Sequence, residues 1–133
     1  MVELGDEKVI YAFGADVEPV LTVSSGETVR IRTKDCFGNQ VRTAADVLDE
    51  IDWDRINPAT GPIFVEGAQP GGALKVQIDA IELDDQTASC TGEGEGVCGD
   101  RFDAWSTKLC AIEGDRLVWD AGLSIPLAPM IGV

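Results

Sequence analysis

Glu66 is a single carboxylate that the sequence places between two rigid turns. Gly61 and Pro62 mark the turn before it, because proline fixes φ and glycine permits backbone angles that other residues avoid. Gly67 and Pro70 mark the turn after it. Rigid turns often present a functional group, and a carboxylate can position water or bind a divalent metal ion. An ordinary loop–strand–loop of a β domain has the same local pattern, so both interpretations stay open.

Asp35 is a second carboxylate in a suggestive place, at the end of a predicted strand and just before Gly38 and Asn39. A side chain there can point into a cleft, although an aspartate that ends a strand is also ordinary. Cys36 beside it could act as a nucleophile, but the chain contains no histidine that could serve as its base. The residues alone therefore indicate candidates without deciding a reaction.

The four cysteines do not have the spacing of a zinc site; they are Cys36, Cys90, Cys98 and Cys110. Cys90 and Cys98 flank a glycine-rich loop and could form a disulfide in an oxidising compartment. In a cytoplasmic protein, free thiols are expected instead.

The charge of the chain excludes several classes of partner. It has 10 basic and 24 acidic residues, a formal net charge of −14. Such a surface repels nucleic acid and anionic membranes and favours neutral or cationic ligands. No apolar run approaches the ~20 residues of a membrane helix, and the charged start lacks a signal-peptide core, so a cytoplasmic protein is expected. A length of 133 residues predicts a single domain over residues 1–133.

Short alternating runs of apolar and polar residues, separated by Gly/Pro turns, predict strands. These runs cover residues 8–13, 19–23, 27–34, 63–66, 73–81, 102–112 and 117–119. One short helix is predicted over residues 43–51, where Thr43 can cap the helix and Asp46 lies in its first turn. The pattern predicts a mainly β fold, a β-sandwich or jelly-roll-like arrangement with one short helix.

Residues 57–78, NPATGPIFVEGAQPGGALKVQI, resemble the signature of the acetamidase/formamidase family, which reads close to TGP(I/V)(Y/F)VEGAxPGDxLxV. The segment PVLTVSSGETVRIRTKDCFGNQV over residues 19–41 and the closing IPLAPMIGV also resemble the family, in the same order. The resemblance covers nearly the whole chain, but only the N-terminal half of a family member. Gly72 stands where the family usually has aspartate, and Cys36 where a small apolar residue is common, so the exact substrate stays open.

The resemblance implies hydrolysis of a small neutral amide, similar to formamide or acetamide, or of a related carbon–nitrogen bond. By the same resemblance, Asp35 and Glu66 are the expected catalytic residues, and Asn39, Gly61 and Gly67 are expected to bind substrate. Backbone N–H groups near the glycines are candidate donors to the oxyanion. A divalent metal, zinc or calcium, is the cofactor considered, with Asp35 as a ligand.

Family members continue into a second half with a histidine motif, so the resemblance implies a second polypeptide and an oligomeric enzyme. The uncharged residues 123–133 favour such a partner, because an apolar segment of this length is rarely free in water. A split-gene subunit, a processed fragment and a shortened form of a longer enzyme are the three origins left open. The alternative function is a non-catalytic, β-rich binding or structural subunit.

Overall fold

A computed structural model describes residues 1–131 of the protein, and the chain forms two compact units. The first unit contains Met1–Asn39 and Trp53–Ile78, and the second contains Gln40–Asp52 and residues 79–131. The expectation of one domain over residues 1–133 stays a prediction.

Strands of two or three residues build the first unit. In chain order they are β1 (Val2–Leu4), β2 (Val9–Ile10), β3 (Leu21–Val23), β4 (Val29–Ile31), β5 (Ala59–Thr60) and β6 (Ile63–Val65). β1 pairs with β4 and β3 with β6, both in parallel, whereas β2 and β5 are antiparallel. Among the described residues of this unit, Leu4 and Val23 are the buried apolar side chains, each 8% exposed. The core of the unit is therefore thin, and two-stranded sheets add little stability of their own.

The second unit contains a four-stranded antiparallel sheet within the described part of the chain. Its strands are β7 (Gln86–Thr91), β8 (Ser106–Glu113), β9 (Arg116–Asp120) and β10 (Leu123–Pro126), in the spatial order β10-β9-β8-β7. Gly114, at φ +62°, lies in the turn between β8 and β9. Val41, Leu48 and Cys110 are buried in this unit.

The prediction of a mainly β fold is confirmed, and the sheets formed within residues 1–131 are not closed. Helix in residues 1–131 is limited to two 3-10 turns, Trp53–Arg55 and Gly99–Arg101. None of the helices described is long and apolar enough to cross a membrane.

The helix predicted over residues 43–51 is wrong, because the segment forms successive turns. The carboxylate of Asp46 accepts hydrogen bonds from the backbone N–H groups of Arg42 (2.8 Å) and Thr43 (2.7 Å). The Thr43 hydroxyl oxygen accepts the N–H of Ala45 at 3.3 Å. The N–H of Asp46 donates to the Thr43 carbonyl three residues earlier, at 3.2 Å, which closes a single turn, and a nine-residue helix has a costly nucleus.

The backbone N–H groups of Arg42 and then Thr43 hold the pKa of Asp46 below its ordinary value of 3.8. The ionised carboxylate therefore stabilises this turn above pH 3.8, and that contribution is lost as the pH falls through the lowered pKa. We expect the amide NMR shifts of Arg42 and Thr43 to titrate together with a midpoint below 3.8. Asp46→Asn, which keeps an oxygen acceptor but does not titrate, should remove this transition, whereas a midpoint at or above 3.8 would contradict the prediction.

The strand predicted over residues 73–81 is also wrong, since no strand pair within residues 1–131 includes this segment. Its alternating pattern is suited to a strand, but a strand forms only where a neighbour accepts its backbone hydrogen bonds.

The uncharged terminal run, residues 123–133, behaves differently in its two parts. Leu123–Pro126 pairs with β9, while Met130 and Ile131 are exposed, and residues 132–133 lie outside the described chain.

Candidate functional site

Asp35 lies just beyond β4, in a turn that its own carboxylate organises. Its Oδ1 accepts the N–H groups of Phe37 (3.0 Å) and Asn39 (2.7 Å), and its carbonyl accepts the N–H of Gly38 at 2.9 Å. In return, Asn39 Oδ1 accepts the N–H of Asp35 at 3.1 Å. Gly38 and Asn39 both have positive φ, near +66° and +62°, a region that glycine and asparagine tolerate best.

This turn fixes the direction of the Asp35 carboxylate while using only one of its two oxygen atoms as an acceptor. Oδ1 is held by two backbone donors, which leaves Oδ2 to meet a water molecule, a substrate or a metal ion. The side chain is exposed. Asp35 and Asn39, which the sequence analysis assigned separate roles, are therefore joined in one structural element.

Glu66 lies immediately after β6, the strand that pairs in parallel with β3. Its N–H donates to the Val23 carbonyl at 2.8 Å, so the pairing continues one residue beyond the strand. Its Oε2 accepts the Ser24 hydroxyl at 2.8 Å, and the Ser24 N–H donates to Glu27 Oε2 at 2.6 Å. Gly67 follows at φ +79° and is exposed.

Ser24 contacts Glu66, although nothing in the sequence singles it out as part of the site. The register aligns Val23 with Val65, which places Ser24 opposite Glu66, 42 residues away in sequence. No local signal marks this pairing, because it follows from a parallel register between distant segments. The hydroxyl holds the carboxylate of Glu66 in place while leaving its charge intact.

Gly61 has a structural role in the same unit. Its φ of +132° suits glycine, and a Cβ there would come within 3.3 Å of the Ile63 nitrogen. Its N–H donates to the Lys8 carbonyl at 3.1 Å, so this donor is already engaged within the chain. A contribution of Gly61 to substrate binding stays a prediction, and it would act through the shape of the backbone.

The structure brings the predicted residues together in two local groups, the Asp35–Asn39 turn and the Glu66–Gly67 corner. No hydrogen bond described in residues 1–131 joins Asp35 to Glu66. Nor does the described chain contain a group of three His, Cys, Asp or Glu side chains able to hold a metal ion. A zinc or calcium ion at Asp35 stays a proposal.

Two shallow cavities lie in the second unit, with volumes of about 400 and 460 Å³. The first is lined in part by Cys90, Cys98 and Trp105, and both cysteines are free thiols. Neither cavity is lined by Asp35 or Glu66. Both candidate carboxylates are exposed, and both belong to the first unit.

The chain matches the family model of the acetamidase/formamidase family over residues 4–113. It belongs to the acetamidase/formamidase family. The match covers most of the chain and includes both candidate carboxylates, so the resemblance inferred from the signature residues is confirmed.

Solved structures of this family are similar along almost the whole chain. An acetamidase from Bacillus halodurans is 40% identical, with a TM-score of 0.93 over 99% of this chain and 45% of its own. A predicted acetamidase/formamidase from the thermophile Thermoanaerobacter tengcongensis is 42% identical, with a TM-score of 0.91 over 99% of this chain and 44% of its own. A formamidase of Methylophilus methylotrophus is 27% identical over 79% of this chain and 26% of its own length. The chain therefore spans less than half the length of each of these relatives.

Proposed function

We propose that this protein is one part of an amidase that hydrolyses a small neutral amide, such as formamide or acetamide, or a related carbon–nitrogen bond. The remaining part would come from a second polypeptide, in an oligomeric enzyme. The observation that carries the proposal is the likeness to the Bacillus halodurans acetamidase, at 40% identity and a TM-score of 0.93 over 99% of this chain. A cytoplasmic location stays a prediction.

In the proposed reaction, Asp35 activates the water that attacks the amide. Oδ2 accepts a hydrogen bond from the water and takes its proton as the water oxygen bonds to the carbonyl carbon. The two backbone donors on Oδ1 keep the carboxylate aimed during this step. The carbon–nitrogen bond then breaks, and ammonia or an amine leaves with the proton, while a carboxylic acid is formed.

Glu66 would hold the substrate rather than react with it. Its carboxylate can accept an N–H of the amide group, a charge-assisted hydrogen bond that distinguishes an amide from an ester. The Ser24 hydroxyl restrains this carboxylate on one side. The N–H of Gly61 is engaged with the Lys8 carbonyl, so the donors to the developing oxyanion would come from Gly67 or from the second polypeptide.

The proposal is tested by isolating the protein, carrying a small tag, from cells that express it from its own gene. Intact-mass analysis identifies the polypeptides of the complex, and ammonia release from formamide and acetamide measures its activity. We expect a stoichiometric second polypeptide and ammonia release well above that of a mock preparation from untagged cells. A stoichiometric complex that releases no ammonia from either amide would instead support the non-catalytic binding or structural subunit.

A further inference from the structure

Two of the cysteines line the same cavity of the second unit. Cys90 lies near the end of β7, and Cys98 lies just before the 3-10 turn Gly99–Arg101. Both line the first cavity, which has a volume of about 400 Å³. Both are free thiols; Cys98 is exposed, whereas Cys90 is half-buried. An accessible thiol beside a second, less accessible thiol is the arrangement of many redox-sensing cysteine pairs.

The segment that joins the two cysteines can change its shape at small cost. It contains Gly92, Gly94 and Gly96, of which the last two have positive φ, near +78° and +71°. The Gly94 N–H donates to the Gly99 carbonyl at 3.1 Å, so the segment folds back and brings the residue after Cys98 beside it. The Cα atoms of a disulfide lie about 4.4–6.8 Å apart, and a glycine-rich segment can supply the movement that this distance requires.

A chain of hydrogen bonds orients the Cys90 thiol. The Thr107 hydroxyl donates its hydrogen to the Asp46 carbonyl at 2.6 Å. Its oxygen therefore accepts the S–H of Cys90, with Sγ and Oγ1 3.6 Å apart. Cys98 is the more exposed of the two thiols, so it is the one that meets an oxidant from solution first.

The other two cysteines are placed differently. Cys110 is buried, at 2% exposure, and lies three residues after Thr107 on β8. Residues three apart in a strand point to opposite faces, and Thr107 is the residue paired with Cys90. Cys110 therefore lies on the other face of the sheet from Cys90. Cys36 belongs to the first unit.

We infer that Cys90 and Cys98 form a reversible redox site that takes a hydroperoxide as its oxidant. The thiolate of Cys98 attacks a peroxide oxygen, so that an S–O bond forms, the O–O bond breaks, and the second oxygen leaves as water or an alcohol. The sulfur of Cys90 then attacks Sγ of Cys98. An S–S bond forms, the S–O bond breaks, and hydroxide leaves with the Cys90 proton as water. The two thiols together lose two electrons, and the peroxide gains them.

The disulfide would cross-link the end of β7 to the start of the 3-10 turn Gly99–Arg101, across the first cavity. The S–H donor of Cys90 would be lost, but the Thr107 hydroxyl would keep its bond to the Asp46 carbonyl. The oxidised protein should therefore keep the fold of the reduced one. A dithiol reductant would reverse the reaction by thiol–disulfide exchange.

The test treats the purified protein, at low concentration, with hydrogen peroxide. The intact mass should fall by about 2 Da, because two hydrogen atoms are lost. Alkylation of the oxidised, denatured protein should then label Cys36 and Cys110 but neither Cys90 nor Cys98. Peptide mapping without reductant should locate the cross-link between Cys90 and Cys98, and dithiothreitol should restore the labelling of both.

Three variants assign the steps of the reaction. Cys98→Ser should abolish the cross-link, and Cys90→Ser should stop the oxidation at a Cys98 sulfenic acid, which dimedone traps. Serine at position 90 can still donate to Thr107, so that variant should keep the circular dichroism of the unsubstituted protein. Cys36→Ser is the matched control, an exposed cysteine of the first unit, and should change the cross-linking rate by no more than about twofold.

Three outcomes would overturn the inference. One is a cross-link that still forms in Cys98→Ser, and another is a disulfide-linked dimer in place of the internal bond. The third is a Cys98 sulfinic acid that accumulates in the unsubstituted protein while Cys90 stays a free thiol, because Cys90 would then be out of reach. Ammonia release plays no part in these measurements, so their result is independent of the proposed amidase activity.

Discussion

Asp35→Asn is expected to lower kcat for amide hydrolysis by the complex at least ~100-fold, with little change in KM. The asparagine oxygen can accept the same N–H groups of Phe37 and Asn39 that Oδ1 accepts, so the turn should keep its geometry. What the substitution removes is the proton acceptor at Oδ2. Steady-state rates of ammonia release from formamide and acetamide measure the effect.

Two further variants show whether the loss is chemical or structural. Asp16→Asn removes an exposed carboxylate of the same unit and should keep kcat/KM within about twofold. Asp35→Ala removes the acceptor for both backbone N–H groups, so it should also lower the free energy of unfolding, by about 1 kcal/mol. Full activity in Asp35→Asn would remove Asp35 from the proposed chemistry, whereas equal destabilisation by the asparagine and alanine variants would show that the turn itself had collapsed.

The Asp35 turn could be predicted from the sequence because its signals are local. Asp35, Gly38 and Asn39 lie within five residues, and each has a known preference for a turn. The Ser24–Glu66 contact could not be predicted in this way, because its partners lie 42 residues apart. A parallel register between two short strands decides it, and short strands carry little periodicity from which to infer a register.

The predictions of a helix over residues 43–51 and of a strand over residues 73–81 are wrong for different physical reasons. Over residues 43–51 the apolar spacing fits a helix, but the N–H of Asp46 donates to the Thr43 carbonyl three residues earlier and closes a single turn. There, local hydrogen bonding prevailed over periodicity. Over residues 73–81 the periodicity fits a strand, but none of the strand pairs described in residues 1–131 includes this segment. The alternation indicates what the segment can form, and the partner decides whether it forms.

Glu66→Gln is expected to raise KM for small amides by about 10- to 100-fold with a smaller change in kcat. The reason is that a charge-assisted hydrogen bond contributes about 1.5–3 kcal/mol, and this one would form in both the bound substrate and the transition state. The glutamine oxygen can still accept the Ser24 hydroxyl, so the corner after β6 should remain intact. Glu18→Gln, an exposed change in the same unit, should leave KM within about twofold.

The Ser24→Ala variant tests whether the position of the Glu66 carboxylate affects KM when its charge is kept. The alanine keeps the carboxylate but removes the hydroxyl that restrains Oε2 at 2.8 Å, so KM should rise only about fivefold. Ser24→Thr keeps a hydroxyl, so its KM should be close to that of the unsubstituted protein. This recovery would not be expected if Ser24 only stabilised the end of β3. If Glu66→Gln lowers kcat and leaves KM unchanged, Glu66 acts in the chemical step and its proposed role in holding the amide is wrong. Opposite responses of kcat and KM in the Asp35 and Glu66 variants would instead assign proton transfer to the first carboxylate and substrate binding to the second.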